Sequence, residues 1–307
     1  VALNCVVCVK QVPDTKRITG EAMTEEGTVN RRALPAIFNP EDLNALETAL
    51  TLRAEHGGTV TVVTMGLPSA CEVLRDALVR GADRAILITD RRAAASDTLA
   101  TSYILSCAVK KLEADIVLCG RQAIDGDTAQ VGPQLAEKLS LPVISYVEEL
   151  VGISDGKITA KRNVGNGWEV VTCTLPALLT VMETANTPRP PAARRVMKFK
   201  KARAKSEVEA MAADLLEGDY ENYTAELKAT EVEKYCANLA DRGLLIEQWD
   251  LDDLEADLTW CGRSGSPTKV HRIQSVVLTG GEYREFAATD DGIAELIGEL
   301  IHDHTVG

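Results

Sequence analysis

The sequence predicts an α/β protein on a doubly wound, mostly parallel sheet, with an antiparallel hairpin extension, a helical insertion and a C-terminal arm. Three observations carry this. Up to about residue 146, short apolar runs alternate with helix-length amphipathic segments. One run, Ile116-Val-Leu-Cys119, leads into a turn rich in glycine and aspartate, Gly120-Arg-Gln-Ala-Ile-Asp-Gly-Asp127, and then into a helix. From residue 147 the hydrophobic period becomes two.

In chain order, strands are expected at 3–9, 59–65, 85–88, 115–119 and 142–146. They are apolar on both faces, as a buried parallel sheet requires. Helices are expected at 40–56, 69–80, 97–112 and roughly 128–139. Cys71, Leu74 and Leu78 share one helical face, as do Leu135 and Leu139. Strand–helix alternation of this kind winds right-handed crossovers onto a parallel sheet. The runs 147–151, 157–161 and 169–174 read as antiparallel strands, with turns at Ser154-Asp-Gly156 and Gly165-Asn-Gly167. The Gly-Asn-Gly is not a dinucleotide fingerprint, because Trp168-Glu-Val-Val continues a strand.

Charge divides the second half. Residues 189–205 hold eight basic residues and no acidic one. Residues 206–257 hold sixteen acidic residues against three basic, a local charge of −13 that equals the net charge of the chain. The basic run has no aromatic interleaving beyond Phe199 and adjoins the acidic block, so nucleic acid is not an expected partner. Within the acidic block, Val232, Tyr235, Cys236 and Leu239 share a helical face that Gly243 can end. A strand near 275–278 and a terminal helix at 290–302 close the chain. The division expected is a nucleotide-binding α/β domain at 1–185, a basic partner-recognition loop at 186–205, an acidic helical insertion at 206–257 and an arm at 258–307.

No apolar run approaches the roughly 20 residues of a membrane span, so direct insertion is not expected. The N-terminus lacks the basic start of a signal peptide. Most of the eight cysteines sit in apolar runs, as buried thiols of a reducing compartment do. The expectation is a cytoplasmic protein. Cys5-Val-Val-Cys8 is a CxxC, but in a strand its two thiols point to opposite faces.

Chemistry concentrates at helix starts. Asp127 with Gln130 three residues on fits a capping box, and Gly126 suits a positive φ. First-turn amides of that helix suit a phosphate, Asp125 suits ribose hydroxyls, and Arg121 suits phosphate. Pro133 conflicts with a helix starting at 128, so the helix is kinked or starts later. Asn39-Pro-Glu-Asp42 reads as a cap, a proline at the first helical position and two acids on the helix dipole. Ser96 or Asp97 caps a third helix. The chain has no GxxxxGK[ST], complete GxGxxG or GxSxG, and no catalytic triad, catalytic carboxylate pair or metal cluster. A nucleotide crevice without acid–base groups points to a cofactor that carries the chemistry.

Val6-Val-Cys-Val-Lys-Gln-Val-Pro-Asp14, Asn39-Pro-Glu-Asp42, Gly81-Ala-Asp83, Gly120 to Gly132 and Gly265-Ser-Pro-Thr268 together resemble the β subunit of electron-transfer flavoprotein. The resemblance covers about 1–205 and 258–307. It implies a heterodimer whose α subunit carries an electron-transferring FAD, with the β-subunit arm embracing that partner. It also implies an adenine nucleotide in the β subunit: structural AMP in some members, a second FAD in electron-bifurcating ones. That FAD exchanges hydride with NAD(H) and passes single electrons to the α-subunit FAD and to a low-potential acceptor, such as ferredoxin or another iron-sulfur protein.

Carried over by position, the nucleotide contacts are Cys8, Val9, Asn39, Asp42, Met65, Gly66, and the loop residues Gly120, Arg121, Gln122, Ala123, Ile124, Asp125, Gly126, Asp127, Thr128, Ala129, Gln130 and Val131. Ser96-Asp-Thr-Leu-Ala-Thr-Ser102 resembles the bifurcating group. Asp97, Thr98 and Thr101 are therefore assigned to the flavin end, and FAD is expected over AMP. The resemblance also implies an acyl-CoA dehydrogenase-type flavoenzyme as partner. Where the family presents a bulky apolar anchor to such a partner, this chain has Ala185. The acidic insertion departs from the family pattern and is expected either to contact an unusual partner or to be a solvated decoration.

Overall fold

A computed structural model describes residues 2–14, 35–215, 224–269 and 285–302. The expected strand near 275–278 lies outside them. The first strand, β1 (Leu3–Cys8), is buried along almost its whole length. Its alternate residues enter two separate cores, Cys5 and Val7 on one side and Val6 and Cys8 on the other. A short antiparallel pair follows, β2 (Gln11–Pro13) with β3 (Ala36–Phe38). Then come α1 (Pro40–His56), β4 (Gly58–Met65), α2 (Cys71–Arg80), β5 (Arg84–Ile88), α3 (Thr98–Leu112), β6 (Ile116–Gly120) and α4 (Val131–Leu139). The start expected for α2 at 69 is a turn of 3-10 helix, Pro68–Ala70.

The rest of the sheet is β7 (Val143–Ser154), β8 (Lys157–Asn163), β9 (Trp168–Thr174), β10 (Ala177–Val181) and β11 (Glu247–Trp249). Among the described residues its nine strands lie in the order β11-β5-β4-β1-β6-β10-β7-β8-β9. From β11 to β7 neighbours are parallel; β7, β8 and β9 are antiparallel. The doubly wound class is thus the one observed. Leu46, Leu50 and Leu74, from α1 and α2, fill one core. Ile104, Leu105 and Leu135, from α3 and α4, fill the other. From β1 the chain winds outward to β4 and β5, then returns to lay β6 on the opposite flank. That reversal opens a crevice beyond the ends of β1 and β6, where open parallel sheets receive ligands.

Besides the short β2–β3 pair, two strands of the main sheet depart from expectation. β10 inserts between β6 and β7 although it follows β9 in the chain. Its apolar run adjoins three period-two strands and does not stand apart from them in the sequence. β11 lies inside the acidic block and pairs with β5, with Arg84 and Glu247 in contact at 2.8 Å. The block also holds α6 (Lys205–Leu215, beginning one residue earlier) and α7 (Ala225–Asp241). On α7, Val232 and Leu239 are buried as the face pattern predicts, whereas Cys236 is half-buried and Tyr235 is exposed; Gly243 beyond the helix has φ 60°.

The basic run is tied to the sheet's helices. Arg189 binds Glu47 through Nε and Nη2 at 2.8 and 2.9 Å. Arg195 donates to the carbonyls of Leu78 and Ala82 before α5 (Ala193–Phe199) ends. Ala185 is half-buried against the larger core. The last elements are α8 (Gly262–Gly265) and α9 (Asp290–His302). α9 leaves Ile293, Ile297 and Ile301 exposed.

Burial pushes the thiols of Cys5, Cys8 and Cys71 up to about 12, and that of Cys119 well above its ordinary value. These four thiols are expected to resist a thiolate-specific reagent in the native protein and to react after denaturation. Counting reactive thiols before and after adding denaturant checks this.

Candidate functional site

The crevice is built from the first turn of α1. Asn39, at the entry to the helix, makes no side-chain cap bond, contrary to its expected role. Its amide faces the loop after β6 instead. Nδ2 donates to the carbonyl of Gln122 at 2.9 Å, and Oδ1 accepts from the amide of Ile124 at 3.1 Å. Pro40 occupies the first helical position, where no amide donor is needed. The Glu41 carboxylate accepts from the Gln122 amide at 2.9 Å and pairs with Arg121 Nη2 at 2.8 Å. The Asp42 carboxylate joins two strand ends, accepting from the Gly120 amide at 2.9 Å and the Lys10 amide at 2.8 Å. A Cβ on Gly120 would lie 2.5 Å from Asp42 Oδ1, so the close approach of β6 to α1 requires glycine. Burial pushes the Asp42 carboxyl up to about 7, while bonds from Asn39, Gly120 and Lys10 pull it down.

The second half of the loop differs from expectation. The left-handed backbone expected at Gly126 falls on Asp127 and Ala129, with φ of 48° and 52°. Asp127 does not cap α4; it accepts from Gln122 Nε2 at 3.0 Å. α4 starts at Val131, with Gln130 at the cap position and no side-chain cap bond. The late start accommodates Pro133, which then lies in the first turn. The Gln130 side chain accepts from Thr98 Oγ1 at 2.9 Å, joining the start of α3 to the loop. The first-turn amides of Val131 and Gly132 have no carbonyl four residues back within the helix. Gly132 packs so tightly that an added Cβ would lie 2.6 Å from Thr180 Cγ2 on β10.

The other expected residues fall around this loop. Cys8 ends β1, Val9 follows it, and both are buried. Met65 ends β4, and the Gly66 amide donates to the carbonyl of Ile88 at 3.0 Å. Asp97 caps α3 as expected, accepting from Ala100 N at 2.9 Å, while its carbonyl accepts from Thr101 N. Its other oxygen accepts from Thr268 N at 2.9 Å, and its own amide donates to Ser266 Oγ. The root of the C-terminal arm therefore rests on the cap of α3. Asp125 pairs with Lys10, and Arg121, besides binding Glu41, lies 5.9 Å from the centre of the Tyr146 ring.

Lys10, Tyr146 and Thr180 were not singled out from the sequence. Tyr146 has φ 60°, a rare conformation for a bulky residue, and its amide donates to Thr180 Oγ1 at 3.0 Å. The signal for Glu41 was present, since two acids in a first turn can bind a neighbouring loop as well as the helix dipole. Nothing local marks Tyr146 or Thr180.

A model of the family described as electron transfer flavoprotein domain matches residues 26–215. The electron transfer flavoprotein subunit beta of Clostridium acetobutylicum is 43% identical over 305 residues, covering 99% of this chain and 100% of its own length. The chain belongs to the electron-transfer flavoprotein β-subunit family. Protein FixA of Azorhizobium caulinodans is 39% identical over 306 residues, covering 96% of this chain and 94% of its own. The caffeyl-CoA reductase-Etf complex subunit CarD of Acetobacterium woodii is 48% identical over 189 residues, 61% of this chain and 71% of its own. Membership implies a bound adenine nucleotide, an electron-transfer flavoprotein α-subunit partner and the role of an electron-carrier subunit. The site fits a nucleotide: the α4 start lacks a side-chain cap, and the loop before it is pinned along its first half. Among the described residues no group of three or more His, Cys, Asp or Glu could hold a metal ion, and no helix is long and apolar enough to cross a membrane.

Asp42→Asn turns an amide donor toward one of two backbone donors and should cost about 1–3 kcal/mol. Burial holds the folded pKa of Asp42, about 7, above the ordinary carboxylate value of 3.8 that it regains on unfolding. Its contribution is fully present below the unfolded value and is lost as pH rises through the folded one. The stability of wild type relative to this variant should therefore fall from about pH 4 to about pH 8, as measured by denaturant unfolding. Asp127→Ala should cost about 1 kcal/mol through its bond to Gln122 and leave the helix content of α4 unchanged by circular dichroism.

Proposed function

We propose that this chain holds FAD in the crevice beyond β1 and β6 and serves a bifurcating electron-transfer flavoprotein heterodimer. The observation that carries the choice of nucleotide is the Thr98–Gln130 hydrogen bond. It sets the polar start of α3 beside the loop and continues the rim past the segment that suits adenosine and phosphate. Bound there, FAD would supply hydride exchange with NAD(H) and single-electron transfer to the α-subunit FAD and a low-potential carrier such as ferredoxin.

The chain's own residues bind and orient. Asn39, Glu41 and Asp42 hold residues 120–124 in place. The first-turn amides of α4 would take phosphate, and Asp97 with Thr98 and Thr101 would meet the far end of the ligand. Cys8, Val9, Met65 and Gly66 would wall the adenosine side. An acyl-CoA dehydrogenase-type partner is supported by the name of the Acetobacterium woodii relative, which places it in a complex with a caffeyl-CoA reductase. A cytoplasmic setting agrees with eight free cysteines, five of them buried.

The second reading is structural AMP, with the subunit as scaffold and docking surface. The clamp at 39–42 and the α4 amides are sufficient for a nucleoside monophosphate, which favours this reading. Counting nucleotides released from the denatured complex with its α subunit decides between them. Two FAD and no AMP per heterodimer are expected. One FAD and one AMP would make the chain a scaffold, and one FAD with no AMP would remove the nucleotide from this crevice.

A further inference from the structure

One ion pair crosses the crevice mouth. Lys10 lies just beyond β1, and its Nζ sits 2.7 Å from both carboxylate oxygens of Asp125. Asp125 belongs to the loop after β6. β1 and β6 are the neighbouring strands where the sheet reverses direction. The pair therefore bridges the two walls of the crevice.

The base of this bridge is fixed independently. The Lys10 amide donates to Asp42, and its carbonyl accepts from the Asn39 amide at 3.0 Å. The α1 clamp reaches only the inner half of the loop, from Gly120 to Ile124. Just beyond Ile124 the backbone bonds are local, the amides of Gly126 and Asp127 both donating to the Ala123 carbonyl. Lys10 adds a tie from the sheet to this outer half. Its side chain is 49% exposed and that of Asp125 24%, so the pair contributes little to fold stability. Its leverage is positional, because swinging the outer loop away from the crevice breaks both contacts.

We infer that the Lys10–Asp125 pair is a strap across the crevice that slows release of the bound adenine nucleotide. This rests on the reading of the crevice as a nucleotide site. Lys10 is a positioning residue here, acting through the loop.

The test compares the heterodimer as wild type, Lys10→Met, Asp125→Asn and the charge-swapped double variant Lys10→Asp/Asp125→Lys. After dilution, the retained nucleotide is assayed over time as AMP, and as FAD in excess of one per heterodimer. Each single variant should lose nucleotide roughly three- to five-fold faster, and the swap should recover most of the difference. Added salt should speed release from wild type and not from the single variants. The unfolding midpoint of nucleotide-stripped protein should not move. Unchanged release in the single variants overturns the strap. Faster release with a matching fall in the stripped midpoint also overturns it, as an ordinary structural contact. Wild type carrying no AMP and no more than one FAD overturns the nucleotide reading itself, and the strap with it.

Discussion

The crevice depends on one buried carboxylate. Asp42 accepts from the amide of Lys10, just beyond β1, and from that of Gly120, which ends β6, so a single side chain on α1 fixes the distance between the two strands that flank the reversal. Burying a carboxyl is costly unless its oxygens are occupied. Here both are, and the glycine opposite leaves no room for a looser arrangement. Glu41 and Asn39 extend the same logic along the next four residues of the loop. The loop follows the helix start, and the position of the α4 amides follows the loop.

This arrangement also decides how charge is used. Among the described residues, two cations at the loop are committed to carboxylates, Arg121 to Glu41 and Lys10 to Asp125. An anionic ligand would then be met chiefly by backbone amides, whose dipoles are fixed and cost no reorganisation. Such a surface suits a resident cofactor held by geometry, and it fits the lack of acid–base machinery in the sequence.

Much of the fold was legible. Strands apolar on both faces alternating with amphipathic helices leave little choice of architecture, and the start of α1 is legible in Asn39-Pro40. What was not legible depended on tertiary contacts. β11 is three residues long, with no apolar period, and exists because β5 offers an edge. Asn39 and Asp127 are good caps by local chemistry, yet each side chain is drawn to the loop, Asn39 by Gln122 and Ile124, Asp127 by Gln122. Pro133 already carried the warning about α4. For Tyr146, a strained backbone held by Thr180 from a strand 34 residues away leaves no trace in its own neighbourhood.

The placement of β10 has a consequence for biosynthesis. It fills the gap between β6 and β7, but the chain reaches it only after building β7, β8 and β9. Until residues 177–181 emerge from the ribosome, β6 presents an open, wholly apolar edge, and α4 has no Thr180 to pack against. Such an edge is a template for pairing with another chain. Closing it requires contacts between residues some 60 positions apart, from Ile116 to Ala177, which slows folding. The nascent chain thus passes through an aggregation-exposed stage that a truncation before residue 177 would make permanent.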